Sequence, residues 1–389
     1  MTVKRYRRAT HRLRPPEETL SLVTGHLEGC GIWRCADLTG LDRLGIPVHA
    51  AFTPQNPLLQ ISWGKGAQPV DAAVSARMEA IERFHATLMD PREQLATAAA
   101  LTARGQAVVF PHRLQRFDRR VYFTDRVPIS WIPMEVLHPH GADGTVMVPA
   151  AAIFPRQPRI LGFTANGLAS GNCIEEAQLH ALYEILERHG ISSCFDATGR
   201  LTLRQNGTRR VALSGAPRAT VGDLAEKVRR NGLDLVLLHL AAPVDRVHLF
   251  WAALIDPLAP VAWIRVNIGY GAHASAEVAA VRAITEAAQS RLAYLHGCRE
   301  DMGFKMRHPN REAVEKTARY FASFSADLPW EALTDHSEDS LAVEWQNLLA
   351  ATVAAGFEGI YRLPIPSRVP GIAVVKLVVE GTRLRHGLF

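Results

Sequence analysis

Apolar residues recur along the chain with two periods. Short runs of apolar or alternating character read as strands: "IPVHAAFTP" (46–54), "TVMVPAAAIF" (145–154), "LDLVLLHLA" (233–241), "VAWIRVNI" (261–268) and "GIAVVKLVVEG" (371–381). Helices are predicted at "PEETLSLVTGHLEGCG" near the start and over residues 313–323 and 338–356. Between 111 and 160 the chain is rich in Pro, Arg and His, and its β-type patches, "RVYFTD" among them, are broken by Pro and Gly. No low-complexity linker divides this alternation, which predicts one composite α/β unit.

Three segments share one organisation. "SARMEAIERFHA" (75–86) and "HALYEILERHGI" (180–191) carry E-x-x-E-R at matching places, and each follows a Gly-rich stretch, "WGKGAQP" or "NGLASGN". The third, "NIGYGAHASAEVAAVRAITEAAQSR" (267–291), reads as strand, Gly loop and helix again. Positions i, i+4 and i+7 lie on one helix face. Ser75, Glu79 and Glu82 form such a stripe, His180, Glu184 and Glu187 a second that Glu176 extends by a turn, and Arg282, Glu286 and Gln289 a third. Apolar stripes run alongside: Val74, Met78, Ile81; Leu179, Leu182, Leu186; Val278, Val281, Ile284.

Glu beside so many apolar neighbours needs a partner, because Glu is almost never fully buried unpaired. Glu176 and Glu187 stand 11 positions apart, roughly 16 Å along a helix, too far for one cation. Several cations along an extended polyanion would satisfy them, since Mg²⁺ takes one or two carboxylates and completes its shell with phosphate and water. Gly loops opening onto helix N-termini would offer N–H groups to phosphate, with Lys65 adding a cation. The pattern suggests a nucleoside triphosphate held through Mg²⁺ by Glu. A single E-x-x-E-R is ordinarily a surface salt-bridge ladder; three units with one geometry argue against that. "GKGA" is no P-loop, lacking the upstream Gly and the Ser/Thr after Lys. "GYGAHA" lacks the second strand with its terminal acid that a dinucleotide site needs.

Composition narrows the classes. Of 389 residues, 48% are hydrophobic and 21% charged, as in globular proteins. There is no 18-residue apolar run and no signal-peptide core, so a cytoplasmic protein is expected, away from membranes. Cys30, Cys35, Cys173, Cys194 and Cys298 are scattered, which indicates neither a disulfide framework nor a zinc site. Cys173, beside the Gly loop, reads as a small buried group before it reads as a nucleophile. The net charge of +6 comes without aromatic interleaving, so anionic ligands are expected and nucleic acid is not.

In order and spacing, "GKGA", "SARMEAIER", "NGLASGNCIEEAQLHALYEILER" and "GAH…AVRAITEAAQSR" resemble the YcaO family, from about residue 37 onward. The resemblance implies a YcaO-type α/β fold of quasi-repeated strand–Gly-loop–helix units around an ATP and Mg²⁺ site. Residues 1–60 would form an N-terminal segment packing on a catalytic domain of 61–389. It also implies an enzyme that phosphorylates a peptide backbone amide oxygen so that the oxygen can leave. Carried onto matching positions, Lys65, Ser75, Glu79, Glu82, Asn166, Asn172, Glu176, Glu184, Glu187, Arg188 and Arg282 would bind nucleotide. Glu79, Glu82, Glu176, Glu184 and Glu187 would hold metal, and Glu187, Arg188 and Arg282 would serve catalysis. His189 stands where many members have Asp, and reads as a structural His at a helix end; His180 lies on the acidic stripe.

"RATHRLRPPEETL" (8–20) and "ADLTGLDRLGIPV" (36–48) look like the subgroup associated with TfuA proteins and backbone thioamidation. The chain ends "RHGLF", without the P-x-P-x-P tail of many azoline-forming members; "LPIP" (363–366) lies upstream. A thioamide product is therefore expected, with cyclodehydration to azoline or amidine formation as alternatives. From other classes come a non-catalytic peptide-docking scaffold and a small-molecule kinase or ligase. Partners implied are a substrate peptide, a separate TfuA-like protein (E1-like for an azoline) and a second copy in a homodimer.

Overall fold

The computed structural model describes residues 2–88, 90–114, 123–138, 144–155, 161, 164–297 and 310–385. Cys298, the start of "RVYFTD" and the last four residues lie outside them; residues 123–125 are not strand, and the strand there starts at Ile129.

Three sheets and three helices alternate around a ring. The first sheet is β3 (Arg34–Asp37), β4 (Val48–Phe52) and β5 (Ile61–Lys65). It follows a small ribbon, β1 (Tyr6–Arg8) with β2 (Thr10–Arg12), and helix α1 (Pro16–Thr24). A six-stranded sheet orders β6 (Gln94–Ala96), β7 (Ile129–His138), β15 (Ile360–Ile365), β16 (Ala373–Val379) and β9 (Leu168–Gly171), with β8 (Thr145–Pro149) also on β7. The five-stranded sheet orders β13 (Val266–His273), β12 (His248–Ile255), β11 (Asp234–Leu240), β10 (Arg209–Ala212) and β14 (Ala326–Pro329).

Each sheet ends on an edge strand, β5, β9 or β13, that leads directly into a long helix. These are α2 (Pro69–His85), α4 (Ile174–Ser193) and α6 (Ala276–His296); short α3 (Ala98–Ala103) and α5 (Asp223–Arg230) intervene, and α7 (Arg311–Ala322) and α8 (Leu341–Ala354) follow. Helix α2 packs on β4, β5 and β9, α4 on β9, β16 and β13, and α6 on β12, β13, β4 and β5, so every helix is wedged between two sheets.

Strands between two helices are buried on both faces, which explains their continuous apolar runs. On β16, Val375, Leu377 and Val379 enter the core around α4, while Val374 and Val378 face the core around α2. On β12, Leu249, Trp251 and Ala253 join the α4 core, and Phe250, Ala252 and Leu254 the α6 core.

Several sequence expectations need correction here. "GYGAH" is strand rather than loop, and Gly64 of "WGKGA" also lies within a strand. A Cβ on Gly64 would stand 2.1 Å from the Ala76 nitrogen, and one on Gly271 2.0 Å from the Ala279 oxygen. These glycines bring strand and helix backbones together; they are not phosphate loops. Correspondingly, α2 buries Ala72, Ala76 and Ala80, while Val74 and Met78 stay partly exposed, because only a small side chain fits against the strand. "VAWIRVNI" opens as a short 3₁₀ turn, Ala262–Ile264, before β13 begins. Among the described residues no helix is long and apolar enough to cross a membrane.

Candidate active site

The polar stripes of the three helices turn toward the centre of the ring, and a glutamate from each helix reaches the edge strand of the next unit. Glu82 of α2 accepts from the Ser170 N–H (2.8 Å) and hydroxyl (2.7 Å) on β9. Glu187 of α4 accepts from the Ala272 N–H on β13 (3.0 Å). Glu286 of α6 pairs with Lys65 at the end of β5, which closes the circle. Lys65, Ser170 and Ala272 each precede by 14 positions the residue four after the stripe's Ser75, His180 or Arg282, namely Glu79, Glu184 and Glu286 (79−65, 184−170, 286−272). The strand partners are thus equivalent, but the glutamates are not: Glu82 and Glu187 hold the third position of their stripes, whereas Glu286 holds the second and Gln289 stands at the third.

The cost of collecting these acids is visible in their protonation. Burial, with Glu79 and Glu184 adding repulsion, pushes the Glu82 carboxyl up to about 8 against the pull of the Ser170 hydrogen bonds. Burial and then Glu286 push Glu187 up to about 7, despite Arg282, Lys65 and Arg188 nearby. Burial would raise Glu286 too, but the Lys65 ammonium outweighs it and holds that carboxyl below its usual range. The ladder reading of E-x-x-E-R holds for one pair per helix: Arg83 with Glu79, and Arg188 with Glu184 at 3.3 Å. Glu82 and Glu187 stand outside it. Arg83 also ties back to the Ile61 carbonyl (2.8 Å).

The remaining candidates take different places. Glu176, 4% exposed, already accepts from the Leu13 N–H (2.7 Å), the Asn172 N–H (3.1 Å) and the Asn172 amide (3.0 Å), with Arg12 at 3.9 Å. It fastens the N-terminal ribbon to the head of α4. Asn172 in turn accepts from the Thr19 hydroxyl (3.1 Å). Asn166 lies in the turn before β9, whose carbonyls at Thr164 (2.9 Å) and Asn166 (2.8 Å) are held by the Lys376 ammonium. That lysine, on β16 and 1% exposed, is brought down to about 7 by burial. Ser75 sits half-buried on α2.

Cys173 precedes α4 at its N-cap, with burial pushing its thiol up to about 12, which disfavours the thiolate a nucleophile needs. It makes no side-chain cap, whereas Ser would. Cys173→Ser should therefore leave turnover unchanged and raise stability by about 0.5–1 kcal/mol, read from thermal melts. His189 accepts from the Arg383 N–H (2.9 Å) and packs edge-on against Phe357, a structural role.

Among the described residues no three His, Cys, Asp or Glu side chains converge on one point that could hold a metal ion. Hard cations bridged by phosphate need only one or two carboxylates each. The site offers that: crowded carboxyls, a buried Arg282 Nε without a hydrogen-bond partner among the described residues, a buried Glu184 oxygen met only by the Arg188 guanidinium at 3.3 Å, and flanking cations. The donor set fits Mg²⁺ with a polyphosphate.

A family model described as YcaO cyclodehydratase, ATP- and Mg²⁺-binding, matches residues 63–383. The chain belongs to the YcaO family. Among relatives of this YcaO protein, an uncharacterized protein of Methanothermobacter thermautotrophicus is 31% identical over 381 residues, covering 94% of this chain and 93% of its own. A Rhizobium leguminosarum protein from the tfuA 3′ region is 29% identical, covering 94% and 87%. The YcaO structure from Methanopyrus kandleri bound with AMPPCP and Mg²⁺ superposes with a TM-score of 0.79 at 21% identity, over 98% of this chain and 95% of that one.

Two residues at the centre carry no role in the sequence reading. Glu286 lies on the third stripe, and its 14-residue spacing from Ala272 would have marked it. Arg12 comes from a remote segment, and no local pattern places it beside α4.

Proposed function

We propose that this YcaO protein phosphorylates the oxygen of a peptide backbone amide at the expense of ATP, and that the product is a thioamide. One observation carries the first part: glutamates of three separate helices converge, Glu82 facing Glu184 and Glu187 facing Glu286, with Lys65, Arg188 and Arg282 beside the latter pair. In this reading Glu79, Glu82, Glu184, Glu187 and Glu286 hold Mg²⁺. Lys65, Arg188 and Arg282 face the phosphates, and Ser75, Asn166 and Asn172 the nucleotide. Glu176 keeps the ribbon of the 1–60 segment closed over the 61–389 catalytic unit. Bound Mg²⁺ and ATP supply charge neutralisation and the phosphoryl group. The chain's own part would be to hold Lys65, Arg188 and Arg282 where negative charge develops on the transferring phosphoryl group.

The thioamide product is favoured by the relative from the tfuA 3′ region and by the two N-terminal motifs. A TfuA-like partner would then deliver sulfur, in the cytoplasm where ATP is available. Cyclodehydration, the reaction in the family's description, is the second reading, with an E1-like partner presenting the peptide. Mass spectrometry of the cognate peptide separates them: a gain of about 16 Da marks oxygen replaced by sulfur, a loss of about 18 Da an azoline. An unmodified peptide with no phosphate released would leave only a docking scaffold.

A further inference from the structure

Strand β16 reads Ala-Val-Val-Lys-Leu-Val-Val, and Lys376 is its one charged residue, set among Val374, Val375, Leu377, Val378 and Val379 of the core. Its register partners on the neighbouring strands, Leu168 and Leu363, are apolar. The sheet would accept Leu or Met at this position, so the lysine answers to something else. A buried amine costs free energy unless its N–H groups are hydrogen-bonded. Among the described residues no carboxylate pairs with it, and both its hydrogen bonds go to carbonyls, those of Thr164 and Asn166. Burial brings the group down to about 7, between ammonium and amine. Either form supplies two N–H donors, so the contact does not depend on its titration.

The two carbonyls belong to the turn that leads into β9. The Leu168 N–H donates to the Ala165 carbonyl (2.8 Å), closing a β-turn with Asn166 and Gly167 at its corner. Gly167 stands at φ +79°, and Asn166 keeps a negative φ, which makes the turn type II. A type I turn would have the same ends but its middle peptide turned over. The lysine, bonded to the Asn166 carbonyl, holds the type II form. On the other side the Leu377 N–H takes the Gly167 carbonyl (2.8 Å). A Cβ on Gly167 would stand 2.5 Å from the Leu377 oxygen and 2.7 Å from Ile185, so the turn is pressed between β16 and α4. Ile185 follows Glu184 directly, and Glu184 and Arg188 are the charges that act on Lys376. The turn thus adjoins the α4 side of the acid centre.

We propose that Lys376 is a positioning residue of the nucleotide site, an assignment that rests on the nucleotide reading of Asn166. By holding the Thr164 and Asn166 carbonyls it keeps the turn in the conformer that presents Asn166 to bound nucleotide. It acts through that asparagine alone.

Titration calorimetry of ATP with Mg²⁺ on the full chain tests this. Lys376→Met keeps the length and the apolar stem but has no donor, and Asn166→Ala removes the side chain to be positioned. Each is expected to weaken binding about tenfold, the worth of one hydrogen bond. In the double variant the loss stays at about tenfold, because the lysine has nothing left to position. Losses that multiply to about a hundredfold overturn the proposal and leave the nucleotide reading intact. So does a folded Lys376→Met chain that melts lower but binds as the parent does, the mark of a lysine that only holds the fold. Should the Met variant fail to fold, Lys376→Gln, with its amide on a shorter stem, takes its place in the cycle with the same expectations. Parent-like affinity in Asn166→Ala, or no binding by the parent chain, overturns the nucleotide reading and the positioning role with it.

Discussion

Glu187→Gln is expected to abolish the rise in melting temperature that ATP with Mg²⁺ gives the unaltered chain. A ligand at a hundred times its dissociation constant stabilises by about 2.7 kcal/mol, several degrees of melting temperature. Glu187 is 4% exposed and faces Glu286 across the centre. Gln keeps the shape and an acceptor for the Ala272 N–H, but removes the charge a dication would pair with. An undiminished rise in the variant would show that these glutamates do not hold the metal.

The same substitution has an opposite effect on the bare protein. Burial and Glu286 raise the Glu187 carboxyl from 4.5 to about 7, so the unfolded chain releases its proton first. Stability without ligand therefore falls as pH rises from 4.5 through about 7. Glu187→Gln should flatten that fall, gaining on the order of 1–3 kcal/mol at pH 8. Urea midpoints across this range, with and without Mg²⁺, read both effects.

Gly271→Ala should prevent folding or leave the chain insoluble. The added carbon would stand 2.0 Å from the Ala279 oxygen and 2.8 Å from the Ala283 nitrogen. Both are backbone atoms of α6, so relief requires lifting that helix from β13, which exceeds about 4 kcal/mol by the measure of severe core substitutions. Gly25→Ala is the control: nothing lies within 4 Å of a Cβ there, and its φ of −72° suits alanine. A soluble Gly271→Ala chain melting within a few degrees of the parent would refute the close helix–strand contact.

Much of the architecture was legible because it repeats. The stripes Ser75–Glu79–Glu82 and His180–Glu184–Glu187 mark inward faces that no single segment would justify. The strand of the third unit was misread because Gly269 and Gly271 imitate a turn; their role appears only once Ala279 and Ala283 lie against them. Likewise Val74 and Met78 satisfy a hydrophobic count, yet the contact face is the alanine row, which a pattern of side-chain size reveals better than one of polarity. The pairing of Glu82 with Ser170, or of Glu176 with the Leu13 N–H, was not legible at all. These bonds join residues 88 and 163 positions apart, and only closure of the ring sets them.

Strand β16 has a consequence for how the protein is made. It lies between β15 and β9 in the six-stranded sheet, supports α4, and holds with Lys376 the turn that carries Asn166. A growing polypeptide still tethered to the ribosome before residue 373 has both E-x-x-E-R motifs in hand, but no floor beneath the second. The acid centre is thus assembled only once Ala373–Val379 has been made, and translation products truncated before it should neither capture nor consume nucleotide.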